Sequence, residues 1–272
     1  MSQRGFTLVE MIVVIVITGI IAGIVAIFIK APVQGYVDSA RRAELTDIAD
    51  TAVRRLARDV RIAVPNSVRS PDAQTFEFVQ TSDGGRYRSG PPGNRLIFNG
   101  SDTSFQVLSG PGGTTVAVND HIVIGSSQSD GSVVYDRLGL RLVSNYNAGT
   151  QTITMNQGLV SALEMPTRRF DVIDAAQGAV TYACEGVGTD GNGNGTGVLR
   201  RYWNYWDFTS NRTSWAAPVG GSNAILANRI SGCNVEYVLA NQGFGLLVVR
   251  LTLKEANESV TLHHQMHVNN VP

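Results

Sequence analysis

The sequence predicts an α+β fold, one long N-terminal helix packed on an antiparallel β domain. Residues 11–29 are apolar and free of charge, and a helical apolar period continues to residue 60. From residue 75 the pattern changes to short Val, Ile, Thr and aromatic runs divided by Gly, Asn, Asp and Pro, the signature of strands and turns. The 29 glycines and the 16% of charged residues fit a turn-rich β body better than a charge-laced helical one. With 22 Lys plus Arg against 22 Asp plus Glu, no global field draws the chain to nucleic acid or to anionic lipid.

As a helix, residues 11–29 extend roughly 28 Å at about 1.5 Å each, close to the hydrocarbon thickness of a bilayer. Pro32 removes a backbone donor and disfavours helix at Ala31, so a kink or short break is expected at the end of the apolar tract. Beyond it Leu45, Ile48, Ala49, Ala52, Val53, Leu56 and Val60 form one apolar stripe, while Asp50 with Arg54 and Arg55 with Asp59 read as exposed pairs one turn apart. Pro65-Asn66-Ser67 ends the helix. Strands are predicted at 75–80, 96–99, 114–118, 121–125, 140–143, 152–156, 168–173, 179–184 and 198–206, and loops at 82–94 and 110–113. A last hairpin, 246–253 with 259–268, alternates as a sheet lying on the helix would. There is no internal repeat.

Glu10 is the anomaly of the first segment. An ionised carboxylate at the mouth of an apolar span costs on the order of a few kcal/mol unless it finds a partner or reaches the headgroup zone. The run Gly5-Phe6-Thr7-Leu8-Val9-Glu10, followed by the apolar helix, resembles the leader of type IV prepilins and type II secretion pseudopilins. The resemblance implies a leader at 1–5, a transmembrane helix at 6–29, an amphipathic continuation at 30–65 and a β-rich pilin-like domain at 66–272. It further implies that a prepilin peptidase cuts after Gly5 and methylates the new amino terminus at Phe6. Glu10 would then pair with the terminal ammonium of a neighbouring subunit, an attraction that low dielectric strengthens. The partners implied are other pilin subunits, the peptidase and the inner-membrane assembly platform. The implied location is the inner membrane, crossed once with the N-terminus cytoplasmic and the body periplasmic, and then the pilus.

A secretory signal would also show a basic start and an apolar core, but its cut would fall after the core, and this tract continues into a helical pattern. The size of the chain, the stretch 36–44 and Leu199-Arg200-Arg201-Tyr202-Trp203 are similar in texture to minor pilins of the mannose-sensitive haemagglutinin (MSHA) pilus. A J-type pseudopilin of type II secretion would share every one of these features. A rival of another class is a membrane-anchored periplasmic binding or enzymatic domain.

The remaining motifs each carry two readings. Gly19 and Gly23 are spaced for close helix packing, although Gly is common in membrane helices. Cys184 and Cys233 are the only cysteines, and a disulfide between them would contribute about 4 kcal/mol in the chain-entropy model; the alternative is two buried thiols. Asp190, Asn192 and Asn194 fit the first half of a calcium loop, but Arg201 stands where the closing glutamate belongs, which favours a Gly-Asn turn. His263 and His267 would lie roughly 13 Å apart on one strand, too far to share a metal, and His264 falls on the apolar face. The stretch 200–206 interleaves arginines with rings as single-strand binders do, yet alternation places Arg201, Trp203 and Tyr205 on one face and Arg200, Tyr202 and Trp206 on the other, as in a half-buried strand. No nucleophile with a base, metalloprotease helix or phosphate loop is present, so neither an enzyme nor a cofactor is expected, calcium being the one exception considered.

Overall fold

The computed structural model describes residue 5 and residues 7–108, 113–206, 208, 212–241 and 243–271. Helix α1 runs from Leu8 to Val60 with Pro32 inside it. Of the kink or short break expected at Pro32, the break is absent: the proline leaves the Phe28 carbonyl without its helical donor, and the remaining ladder carries the helix through. The helix also stops short of Pro65, with Arg61 as its C-cap. Its two halves differ in surroundings. Leu45, Ala49, Ala52, Val53, Leu56 and Val60 are at most 2% exposed, the predicted stripe, and each buried Leu or Val side chain contributes about 2 kcal/mol by leaving water. The large apolar side chains from Leu8 to Ile29 lie open instead.

The body follows as β1 (Arg69–Asp72), β2 (Thr75–Val79), β3 (Asp83–Tyr87), β4 (Ser104–Leu108), β5 (His121–Ile124), a one-turn helix α2 (Ser132–Tyr135), β6 (Leu140–Asn147), β7 (Thr152–Met155), β8 (Arg169–Ile173), β9 (Ala179–Glu185), β10 (Gly197–Tyr205), β11 (Ser222–Asn241), β12 (Phe244–Glu255) and β13 (Glu258–Asn269). Seven strands form an antiparallel sheet in the order β1-β2-β9-β10-β11-β12-β13, and the other six close a barrel in the order β3-β4-β7-β6-β5-β8. Strands β2 and β9 pair directly, Phe76 opposite Tyr182, so the whole barrel is an insertion between two neighbours of the sheet.

Each face of the sheet has its own core. On one face the α1 stripe meets Phe76, Phe78, Tyr182, Leu199, Leu247, Val249, Leu251 and Leu253. On the other, Val79, Ala179, Ala183, Tyr202 and Tyr205 merge with barrel residues such as Phe105, Ile122, Ile153 and Phe170. Strand β2 is buried at all five positions because both layers cover it.

The predicted closing hairpin is β12–β13, with Leu251 opposite Leu262. Its two-residue turn, Ala256 and Asn257, has φ of 48° and 70°, the left-handed pair that suits the twist of antiparallel strands. Several expectations fail. Residues 96–99 and 114–118 form no strand, although Asn99 bridges Val160. The predicted loop 82–94 contains β3, whose Gly85 is placed so that a Cβ would meet the Phe170 ring at 2.8 Å; glycine here marks close approach rather than a turn. Strands β1, β4 and β11 are additions to the expected set. Most of the predicted loop 110–113 lies outside the described residues.

Candidate functional site

The first turn of α1 is built around Thr7. As N-cap it has extended backbone, and its hydroxyl accepts from the Glu10 amide at 3.3 Å. The Thr7 carbonyl takes the Glu10 and Met11 amides at 3.1 and 3.2 Å. Thr7 thus satisfies amide donors that the helix itself leaves free, and it sets Glu10 at the third helical position. A carboxylate in the first turn also meets the positive end of the helix dipole. The spacing Thr-x-x-Glu is itself a capping signal, one that a view of Glu10 as an isolated acid passes over.

Glu10 is exposed and forms no ion pair among the described residues. Gly5 lies just before the cap, with nothing within 4 Å of where a Cβ would stand. Phe6, the residue expected to be methylated, lies outside the described residues. Gly19 and Gly23 sit one turn apart on the bare half of α1, also with nothing within 4 Å of an added Cβ. The structure therefore gathers Gly5, Thr7 and Glu10 at one helix end and leaves Glu10 and the glycine pair open to another molecule.

The second acid of interest on α1 is Asp59. Its carboxylate takes Arg201 Nε at 2.9 Å and the Tyr182 hydroxyl at 2.7 Å, and Arg55 Nε stands 3.1 Å from its other oxygen. Asp59 is 4% exposed, so the expected exposed Arg55 and Asp59 pair is instead half of a buried clasp between helix and sheet. Burial, with the Asp59 charge adding to it, pushes the Tyr182 phenol well above its ordinary range. Trp203 lies under the Arg201 guanidinium at 4.9 Å.

On the opposite face Glu77, fully buried, receives Arg69 Nε at 3.1 Å, Thr181 Oγ1 at 3.2 Å and the Tyr205 hydroxyl at 3.1 Å. Simple alternation places Tyr205 on the Arg201 face, and the structure corrects this. Asn204, at φ 59°, introduces an irregularity between Tyr202 and Tyr205, which turns Tyr205 to the barrel side beside Tyr202. Such a bulge re-aims one side chain without ending the strand.

Cys184 and Cys233 are bonded to each other, tying β9 to the part of β11 that runs past the end of β10. The segment of Asp190, Asn192 and Asn194, weighed as a Gly-Asn turn against half a calcium loop, is a turn closed on itself. Asp190 accepts from the Asn192 and Asn194 amides at 2.9 and 2.8 Å and from Asn194 Nδ2 at 3.1 Å, which holds its carboxyl below the usual carboxylate range. Asn194 Oδ1 in turn takes the Ala256 amide at 2.9 Å, so the loop docks on the β12–β13 turn. Among the described residues no group of three His, Cys, Asp or Glu is placed to hold a metal. His264 is half-buried on the helix side, and His263 and His267 are exposed.

α1 is long and apolar enough to cross a membrane, and none of its apolar window is buried. Residues 1–26 match the family model of the prokaryotic N-terminal methylation motif. The motif covers the leader, Phe6, Glu10 and most of the bare half of α1, and it supports a type IV pilin-like or pseudopilin class with membrane anchoring. In general terms it implies a prepilin peptidase and other pilin subunits as partners. No curated protein and no solved structure matches the chain.

Proposed function

We propose that the chain is a non-catalytic minor pilin of an MSHA-like type IV pilus, cut after Gly5, methylated at Phe6 and inserted at or near the filament tip. The observation that carries this reading is the methylation motif at 1–26 set on a helix whose first half has no partner among the described residues. Glu10 stands at the start of that half with its amide capped and its carboxylate unpaired. Cleavage creates an ammonium group one turn away in sequence, and in an apolar packing of helices each charge neutralises its counterpart in a neighbouring copy. The tip placement rests on volume: a sheet with an inserted barrel is a bulky load for a densely packed shaft, and at the tip nothing stacks above it.

Mass spectrometry of the mature N-terminus tests the proposal directly. The expected species begins with N-methyl-phenylalanine at residue 6. Gly5→Ala should leave the leader attached, and Glu10→Gln should spoil incorporation into filaments while the body melts at an unchanged temperature. Finding the full-length chain uncut in cells that hold the peptidase overturns it.

A further inference from the structure

On the outer wall of the barrel β3 and β8 run antiparallel, with Arg86 opposite Arg169 and Gly84 opposite Asp171. Directly opposed residues share a face with Cβ atoms about 5 Å apart, and like charges so placed are destabilising. Both arginines are exposed, and neither is paired with a carboxylate among the described residues. They line a cleft of about 750 Å³ together with Thr81, Gly84 and Asp171. Gly84 keeps its floor open, since a Cβ there would stand 3.0 Å from the Phe170 carbonyl oxygen and 3.7 Å from Asp171 Oδ1.

The two acids of the cleft differ. Asp83 is occupied, accepting from the Gly84 and Thr115 amides at 2.7 Å each. Asp171 accepts no hydrogen bond among the described residues, and burial pushes its carboxyl up to about 6, with Arg169 opposing the shift. The cleft therefore offers two uncommitted guanidinium forks and one uncommitted acceptor.

We propose that this cleft binds a hydroxylated oxyanion, its carboxylate or phosphate group held between Arg86 and Arg169 and a neighbouring hydroxyl donating to Asp171. An oxyanion between two planar guanidiniums removes their mutual repulsion and meets both in bidentate geometry. The volume is that of a small-ligand site. Asp171 disfavours a bare anion and selects one that brings a donor, as sugar acids and sugar or polyol phosphates do.

The test is titration of the full-length chain in non-ionic detergent with glucuronate, glycerol 3-phosphate, inorganic phosphate and glucose, followed by calorimetry. Saturable binding of glucuronate or glycerol 3-phosphate, and not of glucose, is expected, and the stronger of the two tells carboxylate from phosphate. Arg86→Gln and Arg169→Gln should each weaken it about tenfold, the scale of one lost charge-assisted pair, while leaving the unliganded melting temperature unchanged or higher. Asp171→Asn should weaken both hydroxylated ligands. No saturable binding of either acid, binding untouched by both arginine variants, or glucose binding equally well would each overturn the proposal.

Discussion

Where the helix meets the sheet, the buried carboxylate of Asp59 is held by Arg201, Arg55 and Tyr182. In the barrel wall, by contrast, His121 and Asp171 are largely withdrawn from water without an opposite charge in hydrogen-bond reach. His121 stacks on Trp206 with ring centroids 4.0 Å apart, and its Nδ1 is buried with no partner. The helix layer thus commits its buried charge to one fixed arrangement, since breaking a buried pair leaves an uncompensated charge behind. The barrel keeps groups whose charge the surroundings can still change. That contrast separates a helix layer fixed by ion pairing from a barrel wall that keeps titratable groups without a charged partner.

The sharpest way to break the comparison is to delete one acid from each layer. Asp59→Ala strands Arg201, whose side chain is 8% exposed, and should cost about 3–5 kcal/mol, as breaking a buried pair does. Asp171→Asn removes a lone carboxyl and should cost less than about 1 kcal/mol. Equilibrium denaturation of both variants decides it, and equal losses would erase the distinction between the layers.

Much of the helix layer is legible in the sequence because its signal is local. The stripe from Leu45 to Val60 repeats at helical spacing, and all of its members face the sheet. The Asp59 clasp is not legible, since an acid one turn from an arginine has the same spacing on a solvent face as on a buried one, and only the tertiary partner Arg201, 142 residues away, distinguishes them. The barrel is non-local throughout. Its strands are four to eight residues long and close through pairings such as Asp83 with Val172, so neither its closure nor its insertion between β2 and β9 leaves a periodic mark. Gly84 and Gly85 read as a turn because close approach and chain reversal select the same residue. Strand β11 escapes because its Gly and Asn residues interrupt the alternation. At the N-terminal site Gly5 and Glu10 stand out as a motif, whereas the role of Thr7 rests on a hydrogen bond that only the folded backbone shows.

A second, smaller effect asks whether the layers unfold together. Leu56→Ala opens a cavity at a fully buried position and should cost about 3 kcal/mol. Hydrogen exchange should then show amides of β12 and β13, which α1 covers, losing more protection than those of β5 and β8. Equal loss everywhere would mean one cooperative unit and no separate helix layer.

The smallest effect is a pH dependence confined to the barrel. Burial lowers the His121 imidazole to about 4, with Arg137 adding to the shift and Asp120 opposing it. Between about pH 6.5 and 4 the unfolded chain therefore binds the proton that the folded chain refuses, so His121 makes stability fall as pH falls through that window. Asp171, raised to about 6, does the reverse: the folded chain binds its proton first, and stability from this group rises as pH falls from about 6 towards 4. In the intact protein the two slopes offset each other over the shared window. His121→Gln should remove only the first, leaving a protein that loses less on acidification than wild type, and Asp171→Asn only the second, leaving one that loses more. Denaturation midpoints at about pH 6.5, 5 and 4 measure both slopes, and variants that track wild type in parallel would show that neither group is held out of water as strongly as its place in the barrel requires.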